Sequence, residues 1–352
     1  MLTKGGDILD LKERKLKILN AIIQDYISTA EPVGSRTVAK NYNLGISSAT
    51  IRNEMADLEE MGYLEQPHTS SGRIPSDKAY RLYVDHLMRV DKLNEVIEET
   101  IYQQYKNFAG ELENMISHTS QILSHFTNYT SLALTPQLYE SSIKHIQLMP
   151  LQEDKILMVI VSKEGVVKNI SIKVEESIEV ETLNKFSNIL NQCLKGSSIF
   201  QVEEQVIEKL TKLDKKESMI LQELMPIIRE SLSSQEDIKI YSNGITNIFN
   251  FPEFKDIKKA RDFIDLWEKK NILIGLLSHN QKERIHISIG KENELDEIKG
   301  CSLITATYQL NGKVLGTIGV IGPTRMQYSK VIALLDYLTK QLDESARKTI
   351  QE

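Results

Sequence analysis

The sequence predicts a multi-domain α+β protein with an N-terminal winged helix-turn-helix and a mixed α/β sheet domain interrupted by an insertion. Residues 34–76 read as a short helix, a tight turn, a longer helix and a β-ribbon with a polar tip. Strand-like segments at 143–172 and 285–321 are separated by a helical stretch, which suggests one sheet interrupted in sequence. At 352 residues the chain is also long for a single core.

The composition is that of an ordinary folded protein, with 26% charged and 41% hydrophobic residues. A formal net charge of −6 argues against a uniformly basic nucleic-acid coat, but it leaves room for a local basic face. No apolar run approaches the roughly 18 residues of a membrane span. The start, MLTKGGDILDLKERK, lacks the apolar segment of a signal peptide. We therefore expect a cytoplasmic protein with no membrane partner.

Residues 11–29 are predicted to form the first helix, because apolar residues recur on one face. Its first turns carry a cluster of basic residues: Lys12, Arg14, Lys15 and Lys17. Basic residues at a helix N-terminus oppose the helix dipole, so either a nearby phosphate backbone or a solvated face explains them. Pro32 ends the helix, and Ser35 is expected to cap the next one.

The longer helix that follows has the pattern of a recognition helix. Its apolar stripe is Ile51, Met55 and Leu58, and its opposite face carries Ala49, Asn53 and Ala56, flanked by Thr50 and Arg52. Small and hydrogen-bonding side chains near a helix start suit contact with base edges in the major groove. Ser47 or Ser48 is expected to cap the helix and to lie near phosphate, and Gly62 is expected to end it in the left-handed conformation.

A β-ribbon is predicted after Gly62, with strands at Tyr63-Leu64 and Ile74-Pro75. Its polar tip, residues 67–73, contains one guanidinium, which suits a wing that touches phosphate or enters a minor groove. An ordinary surface hairpin is the alternative for the ribbon alone, and the preceding helix pair favours the wing. Another helix is expected to start at Ser76.

The rest of the chain alternates between helical and strand patterns. Residues 91–126 are helical with a break at Ala109-Gly110, and either pack on the next domain or form a dimerising seam. Strands follow at 131–135, 143–151, 155–162 and 166–174, and helices cover much of 178–230. A short strand at 238–242 and one long helix at 257–277 come next. The last strands are 283–290, 301–310 and 313–322, before a closing helix at 328–342.

Three blocks of the sequence resemble the heat-inducible transcription repressor HrcA family. They are VGSRTVAKNYNLGISSATIRNEMADLEEMGYLEQPHTSSGRIPSDKAYRLYVDHLM, SNGITNIFNFPEF at 242–254, and IHISIGKEN through CSLITATYQLNGKVLGTIGVIGPTRMQYSKVI. The first and last blocks are long and specific. The HTSSGR of the predicted wing departs from the family pattern at one middle position, where alanine is expected.

The resemblance implies a GAF-like domain that carries an inserted dimerisation domain. The expected division is 1–90 for the winged helix-turn-helix, 91–180 and 276–352 for the two parts of the GAF-like domain, and 181–275 for the insertion. It further implies a homodimer that binds double-stranded DNA at the inverted repeat called CIRCE, upstream of chaperone operons. The implied regulator is the GroEL-type chaperonin, which helps the repressor reach its active fold, so that repression lapses when heat fills the chaperonin with unfolded clients.

The predicted DNA contacts come from three segments. They are Arg36 and Lys40 on the shorter helix, Ser47, Ser48, Thr50, Arg52 and Asn53 at the recognition helix, and His68, Ser71, Gly72 and Arg73 in the wing. Asn53, Thr50 and Arg52 are expected at or near the major groove, where Asn53 or Arg52 reads base edges. Ser47 and Ser48 are expected on phosphate, and Arg73, Arg36 and Lys40 are expected to add further backbone contacts. Arg52 pairing with Glu31 or Asp57 inside the domain is the structural alternative.

No catalytic site, cofactor motif or metal site is visible in the sequence, so we predict that the protein is not an enzyme. The glycines at 312, 316, 319 and 322 lack the order of a phosphate loop and fit a strand and its turns. His68 has no second metal ligand at usable spacing, and Cys193 and Cys301 are expected to be buried thiols. Arg325 either binds an anion or pairs with Glu292 or Asp296.

A regulator gated by a small molecule and an enzyme with a DNA-binding arm are the alternative functions.

Overall fold

The structure is a computed structural model that describes most of the chain. The described residues are 11–68, 71–106, 112–135, 143–162, 167–194, 215–233, 238–278, 283–310 and 312–351. The predicted break at Ala109-Gly110 and the tip residues Thr69 and Ser70 lie outside them. None of the helices within these ranges combines the length and the apolar composition that crossing a membrane requires.

The N-terminal unit, residues 11–92, consists of short helices and a two-stranded hairpin. Its elements are α1 (Glu13–Thr29), α2 (Ser35–Asn41), α3 (Ser48–Glu60), β1 (Leu64–Glu65), β2 (Ile74–Pro75) and α4 (Asp77–Leu82), which continues as a π-helical turn at Tyr83–Leu87. Hydrogen bonds between Val33 and Arg73 add an isolated bridge beside the hairpin. This order agrees with the one predicted from the sequence.

Local sequence explains most ends of these helices. Ala30 adopts the left-handed conformation after α1, and its N–H donates to the carbonyl of Tyr26. Ser47 caps α3 by accepting the Thr50 N–H at 3.1 Å, and Gly62 takes a φ of 77° after it. The expected cap at Ser35 is wrong, because the N-cap position of α2 is Gly34 and no side chain caps it.

The remaining elements follow in chain order. They are α5 (Glu95–Lys106), α6 (Leu112–Thr127), β3 (Thr130–Leu134), β4 (Ile143–Gln152), β5 (Lys155–Ser162), β6 (Val167–Lys173), α7 (Val180–Leu194), α8 (Lys215–Ser233), β7 (Ile240–Asn243), α9 (Ile257–Asp265), α10 (Lys270–Ser278), β8 (Ile285–Ile289), β9 (Cys301–Leu310), β10 (Lys313–Pro323) and α11 (Tyr328–Gln351). Single 3₁₀ turns lie between several of them.

The body of the molecule is a five-stranded antiparallel sheet in the order β7-β3-β10-β9-β8. Helices α6 and α11 cover one face, and α9 and α10 cover the other. Strand β3 pairs with β10 across a long sequence separation, for example Ala133 with Ile318. The packing of α6 on this sheet agrees with the predicted amphipathic helix that lies on the next domain.

The predicted single sheet is wrong, because among the described strands β4, β5 and β6 pair with one another and form a separate three-stranded sheet. Their side chains share a separate apolar core with α7 and α8, which includes Ile146, Met158 and Phe186. The inserted unit therefore comprises the described residues between 143 and 233, whereas β7, α9 and α10 belong to the body. The expected insertion at 181–275 left out β4, β5 and β6, which belong to the inserted unit. It included β7, α9 and part of α10, which belong to the body.

The predicted long helix at 257–277 is also interrupted. A 3₁₀ turn at Leu266–Glu268 separates α9 from α10, and Leu266 is fully buried there. Trp267 packs edge to face on Phe263, with ring centroids 5.9 Å apart. Packing of these side chains against the sheet therefore interrupts the helix that the apolar period predicts as continuous.

Gly316, Gly319 and Gly322 lie in β10 and Gly312 lies in the turn before it, in agreement with the predicted strand and its turns. A Cβ at Gly316 would lie 2.3 Å from the Tyr308 hydroxyl, and Gly312 takes a φ of 79° in the hairpin turn before the strand. Both cysteines are free and buried, and burial raises the pKa of Cys301 to about 12.

Candidate nucleic-acid interface

Helix α3 presents one exposed polar face and one buried face. Its buried side chains are Ile51, Glu54, Met55 and Leu58, and its exposed ones include Ala49, Arg52, Asn53 and Ala56. The exposed four are spaced i, i+3, i+4 and i+7, so they lie on one side of the helix. The predicted recognition face is therefore on the surface.

Arg52 and Asn53 have no hydrogen-bond or ion-pair partner within the part of the chain that the structure describes. The suggested pairing of Arg52 with Asp57 is wrong, because Asp57 binds the ammonium of Lys15 at 2.8 Å. Glu31, the other suggested partner, forms no ion pair with Arg52. The amide and guanidinium remain available to an external ligand.

The N-terminus of α3 is ordered by its own side chains. The Ser47 and Thr50 hydroxyl oxygens lie 3.0 Å apart, and the Ser47 oxygen also accepts the Thr50 N–H. Thr50 is half-buried, and its hydroxyl shares a hydrogen bond with the hydroxyl of the capping Ser47. Ser48 is also half-buried and begins the helix, where the helix dipole favours an anion.

Arg36 and Lys40 lie on α2, where both side chains are exposed. Neither has an ion-pair partner among the described residues. Their spacing of four residues places them on one side of the helix. This location is compatible with the predicted backbone contacts.

The wing residues have structural roles that the sequence did not indicate. Arg73 is paired with Glu59 of α3 at 2.7 Å, so its guanidinium holds the hairpin against the helix and does not stand free at the tip. Gly72 is required by close packing, because a Cβ there would lie 2.5 Å from the carbonyl of Val33. Both residues support the hairpin, and their predicted DNA contacts stay predictions.

The tip itself is held by Ser71 and His68. The Ser71 hydroxyl donates to the His68 carbonyl at 2.7 Å and accepts the His68 N–H at 3.0 Å. The imidazole of His68 is exposed. Within the described ranges, no three His, Cys, Asp or Glu side chains are grouped as metal ligands.

Sequence reasoning missed Glu54, a carboxylate on the buried face of α3. It is 6% exposed and bonds to Arg14 of α1, and the Lys15 ammonium lies 3.8 Å away. Lys17 pairs with Glu13 on its own helix. The basic cluster of α1 is thus mostly neutralised within the protein, and its phosphate interpretation is not favoured. Glu54 lies three residues after Ile51 and four before Leu58, so the helical period places it on the same side of α3. This spacing was the signal in the sequence from which the burial of Glu54 could have been predicted.

Several hydrogen bonds dock the N-terminal unit on the body. Arg81 donates to Glu292 at 2.9 Å and to the Ile287 carbonyl at 2.7 Å. Asp77 accepts the Lys291 N–H at 3.0 Å. The Ser329 hydroxyl donates to the Arg89 carbonyl at 2.8 Å.

Arg325 forms a further link between the N-terminal unit and the body, and it pairs with neither of its predicted partners. Its guanidinium pairs with Glu253 and donates to the Ile27 carbonyl at the end of α1 at 3.3 Å. Glu292 binds Arg81 instead, and Asp296 binds Lys299. Because one continuous apolar core also joins the N-terminal helices to the sheet and α11, the body fixes the orientation of α3.

Comparison with known proteins finds a family model and full-length relatives that carry the same family name. Residues 113–332 match the family model described as the HrcA protein C terminal domain. Heat-inducible transcription repressor HrcA of Clostridium tetani is 46% identical over 98% of both chains, and that of Ruminiclostridium cellulolyticum is 44% identical over 97% of this chain and 99% of the relative. A crystal structure described only as a hypothetical protein shares the fold, with a TM-score of 0.58 and 24% identity over 96% of this chain and 99% of that one.

Proposed function

Because the chain belongs to the HrcA family of heat-inducible transcription repressors, we propose that its N-terminal unit is a winged helix-turn-helix that binds operator DNA. The observation that carries the proposal is the exposed face of α3, where Arg52 and Asn53 lack internal partners within the described residues. Two alanines on the same face, Ala49 and Ala56, permit close approach to base edges. Asn53 reads a base edge in this proposal, and Arg36 and Lys40 bind phosphates.

The second part of the proposal is that the protein acts as a homodimer on an inverted repeat of the CIRCE type. One recognition helix contacts only a few base pairs, so two related helices are needed for an operator-length site. The inserted unit is the proposed dimerisation domain, and the five-stranded body is the proposed GAF-like domain. Support comes from the face of the inserted sheet opposite its core, where Met149 is 38% and Val167 is 59% exposed.

The third part is modulation by a GroEL-type chaperonin. The body sheet is complete only when β10 pairs with β3. Ala133 and Ile318, which pair there, are separated by 185 positions in the sequence, and the inserted unit lies between the two strands. Pairing at such separation is slow and leaves apolar strands exposed during folding. A chaperonin requirement is consistent with this topology. In this proposal heat diverts the chaperonin to other clients and repression lapses.

Substitution of Asn53 by alanine tests base reading. We expect Asn53→Ala to reduce affinity for the inverted repeat about 5- to 150-fold per recognition helix, since a good base contact contributes about 1–3 kcal/mol of discrimination. Affinity for a random duplex is expected to stay nearly unchanged. Equal losses on both duplexes would contradict base reading by Asn53.

Lys40→Ala is the matched control for backbone contact. We expect it to weaken binding to both duplexes alike and to lower the slope of log affinity against log salt by about one for each phosphate that the variant no longer binds. Both variants change exposed side chains, so the free energy of unfolding is expected to change by less than about 0.5 kcal/mol.

The dimer is tested by sedimentation of the full chain. The double substitution of Met149 and Val167 by glutamate places charges on the exposed face of the inserted sheet, away from its core. We expect a dimer for the original chain and a monomer for the variant, which then loses preference for two half-sites over one. A monomeric original chain at micromolar concentration would contradict this part of the proposal.

A further inference from the structure

A cavity of about 730 Å³ lies between the N-terminal unit and the body. The N-terminal unit contributes Arg81, Val84 and Asp85, and the body contributes residues of β8, α10 and the 292–295 segment. The volume falls within the range of small-molecule sites in proteins. Its position matters because Arg81 also joins the two parts through Glu292 and the Ile287 carbonyl.

The floor of the cavity is apolar and carries one hydroxyl. Apolar contact is offered by Ile272, Leu276, Leu295 and Leu303. Thr305 also lines the cavity and is only 7% exposed, and its hydroxyl has no hydrogen-bond partner in the described parts of the chain. Its oxygen is not fully buried, so it is accessible from the cavity, where a ligand can hydrogen-bond to it.

The rim of the cavity is acidic. Four carboxylates line it, those of Asp85, Glu283, Glu292 and Glu294, against the single guanidinium of Arg81. Burial lowers the pKa of His286, so this imidazole is neutral at pH 7. The described lining thus carries an excess of three negative charges, which attracts a cation and repels an anion.

We propose that this cavity binds an amphipathic primary amine, with its apolar body on the floor and its ammonium at the acidic rim. The amine contacts both the N-terminal unit and the body, so it binds the docked arrangement more tightly than an undocked one. Occupancy therefore stabilises docking and holds α3 in its orientation. The binding itself is independent of the function proposed above, whereas its effect on DNA rests on that function.

The binding test uses three probes of one shape and different charge. They are 4-phenylbutylamine, which is cationic at pH 7, 4-phenylbutanol, which is neutral, and 4-phenylbutyrate, which is anionic. We expect the amine to raise the melting temperature of the full chain saturably, the alcohol to act at least tenfold more weakly, and the carboxylate to have no effect. Absence of a saturable effect of the amine would overturn the proposal, and equal effects of all three would overturn the role of the acidic rim.

Two glycines provide a matched pair of variants that locate the site. Gly275 lines the cavity from α10, and a Cβ built there meets no heavy atom within 4 Å. Gly275→Leu is expected to fill the cavity, keep the fold and weaken amine binding at least tenfold. A Cβ at Gly300 also meets nothing within 4 Å, but Gly300 does not line the cavity, so Gly300→Leu is expected to bind normally. Equal binding by both variants would place the site elsewhere.

Thr305→Val tests the hydroxyl, because valine has nearly the same shape and no polar group. We expect several-fold weaker amine binding and an unchanged fold. Affinity for the inverted repeat is then measured with saturating amine, and we expect it to rise for the original chain and not for Gly275→Leu. An unchanged affinity would overturn the link to docking. A chain that binds amine but no operator would instead contradict the proposed function and leave the cavity assignment standing.

Discussion

The ion pairs on the buried side of α3 allow a quantitative prediction. Glu54→Gln keeps the shape of the side chain and removes its charge, which leaves Arg14 and Lys15 without their buried partner. A hydrogen bond to a charged group contributes about 1.5–3 kcal/mol. Because the Arg14 side chain is 53% exposed and Lys15 retains Asp57, water and Asp57 offset part of the loss. We therefore expect a cost of about 1–2 kcal/mol.

Hydrogen exchange is the suitable assay, since a chain with several packed parts is not expected to unfold in one step. A cost of about 1–2 kcal/mol lowers the protection of the α1 and α3 amides about 5- to 30-fold at 25 °C. Amides of the inserted sheet are expected to remain unchanged. Glu13→Gln removes the exposed pair with Lys17 and is the control, with no measurable loss of protection expected.

The same variant separates two roles for the basic residues of α1. If Arg14 and Lys15 serve packing, Glu54→Gln lowers protection and does not strengthen DNA binding. If they serve phosphate contact, removal of Glu54 frees them, so affinity and its salt dependence rise. An increased salt slope with unchanged protection would refute the structural role that we assign to this cluster.

Three further predictions concern packing. Gly72→Ala is expected to destabilise the protein by about 1–3 kcal/mol, because the added Cβ overlaps the backbone of Pro32 and Val33. Gly300→Ala is the control and is expected to be nearly neutral, and thermal unfolding compares the two variants. Cys193 and Cys301 are expected to resist a thiol reagent at pH 8 until the protein unfolds, since both are buried, and rapid labelling of the native chain would contradict this. Arg325→Met removes a guanidinium that is 11% exposed and leaves its carboxylate partner unpaired. We expect a loss of about 2–4 kcal/mol, measured by hydrogen exchange of the α1 amides, and unchanged protection would count against the link.

Local signals were sufficient for the N-terminal unit. The period of Ile51, Met55 and Leu58, the capping serine at 47 and the glycine at 62 act within a few residues of one another. Their effects can therefore be read without knowledge of the rest of the fold. The recognition face follows from the same periodicity.

Long-range pairing could not be obtained in this way. The patterns of β4 to β6 and of β8 to β10 are equally strand-like, and nothing local records that they form separate sheets. Arg325 had several acidic candidates, and its true partner, Glu253, comes from a 3₁₀ turn 72 residues away. The bond of Arg73 to Glu59 could not be predicted either, because it depends on how the hairpin folds back on α3.

The most direct test of operator recognition through α3 is a mobility shift at fixed salt on three duplexes of equal length. One carries the inverted repeat, one carries a single half-site, and one is scrambled. We predict binding of one dimer to the inverted repeat at least about a thousandfold tighter than to the scrambled duplex, with intermediate affinity for the half-site. Equal affinity for all three duplexes would contradict specific operator binding through α3.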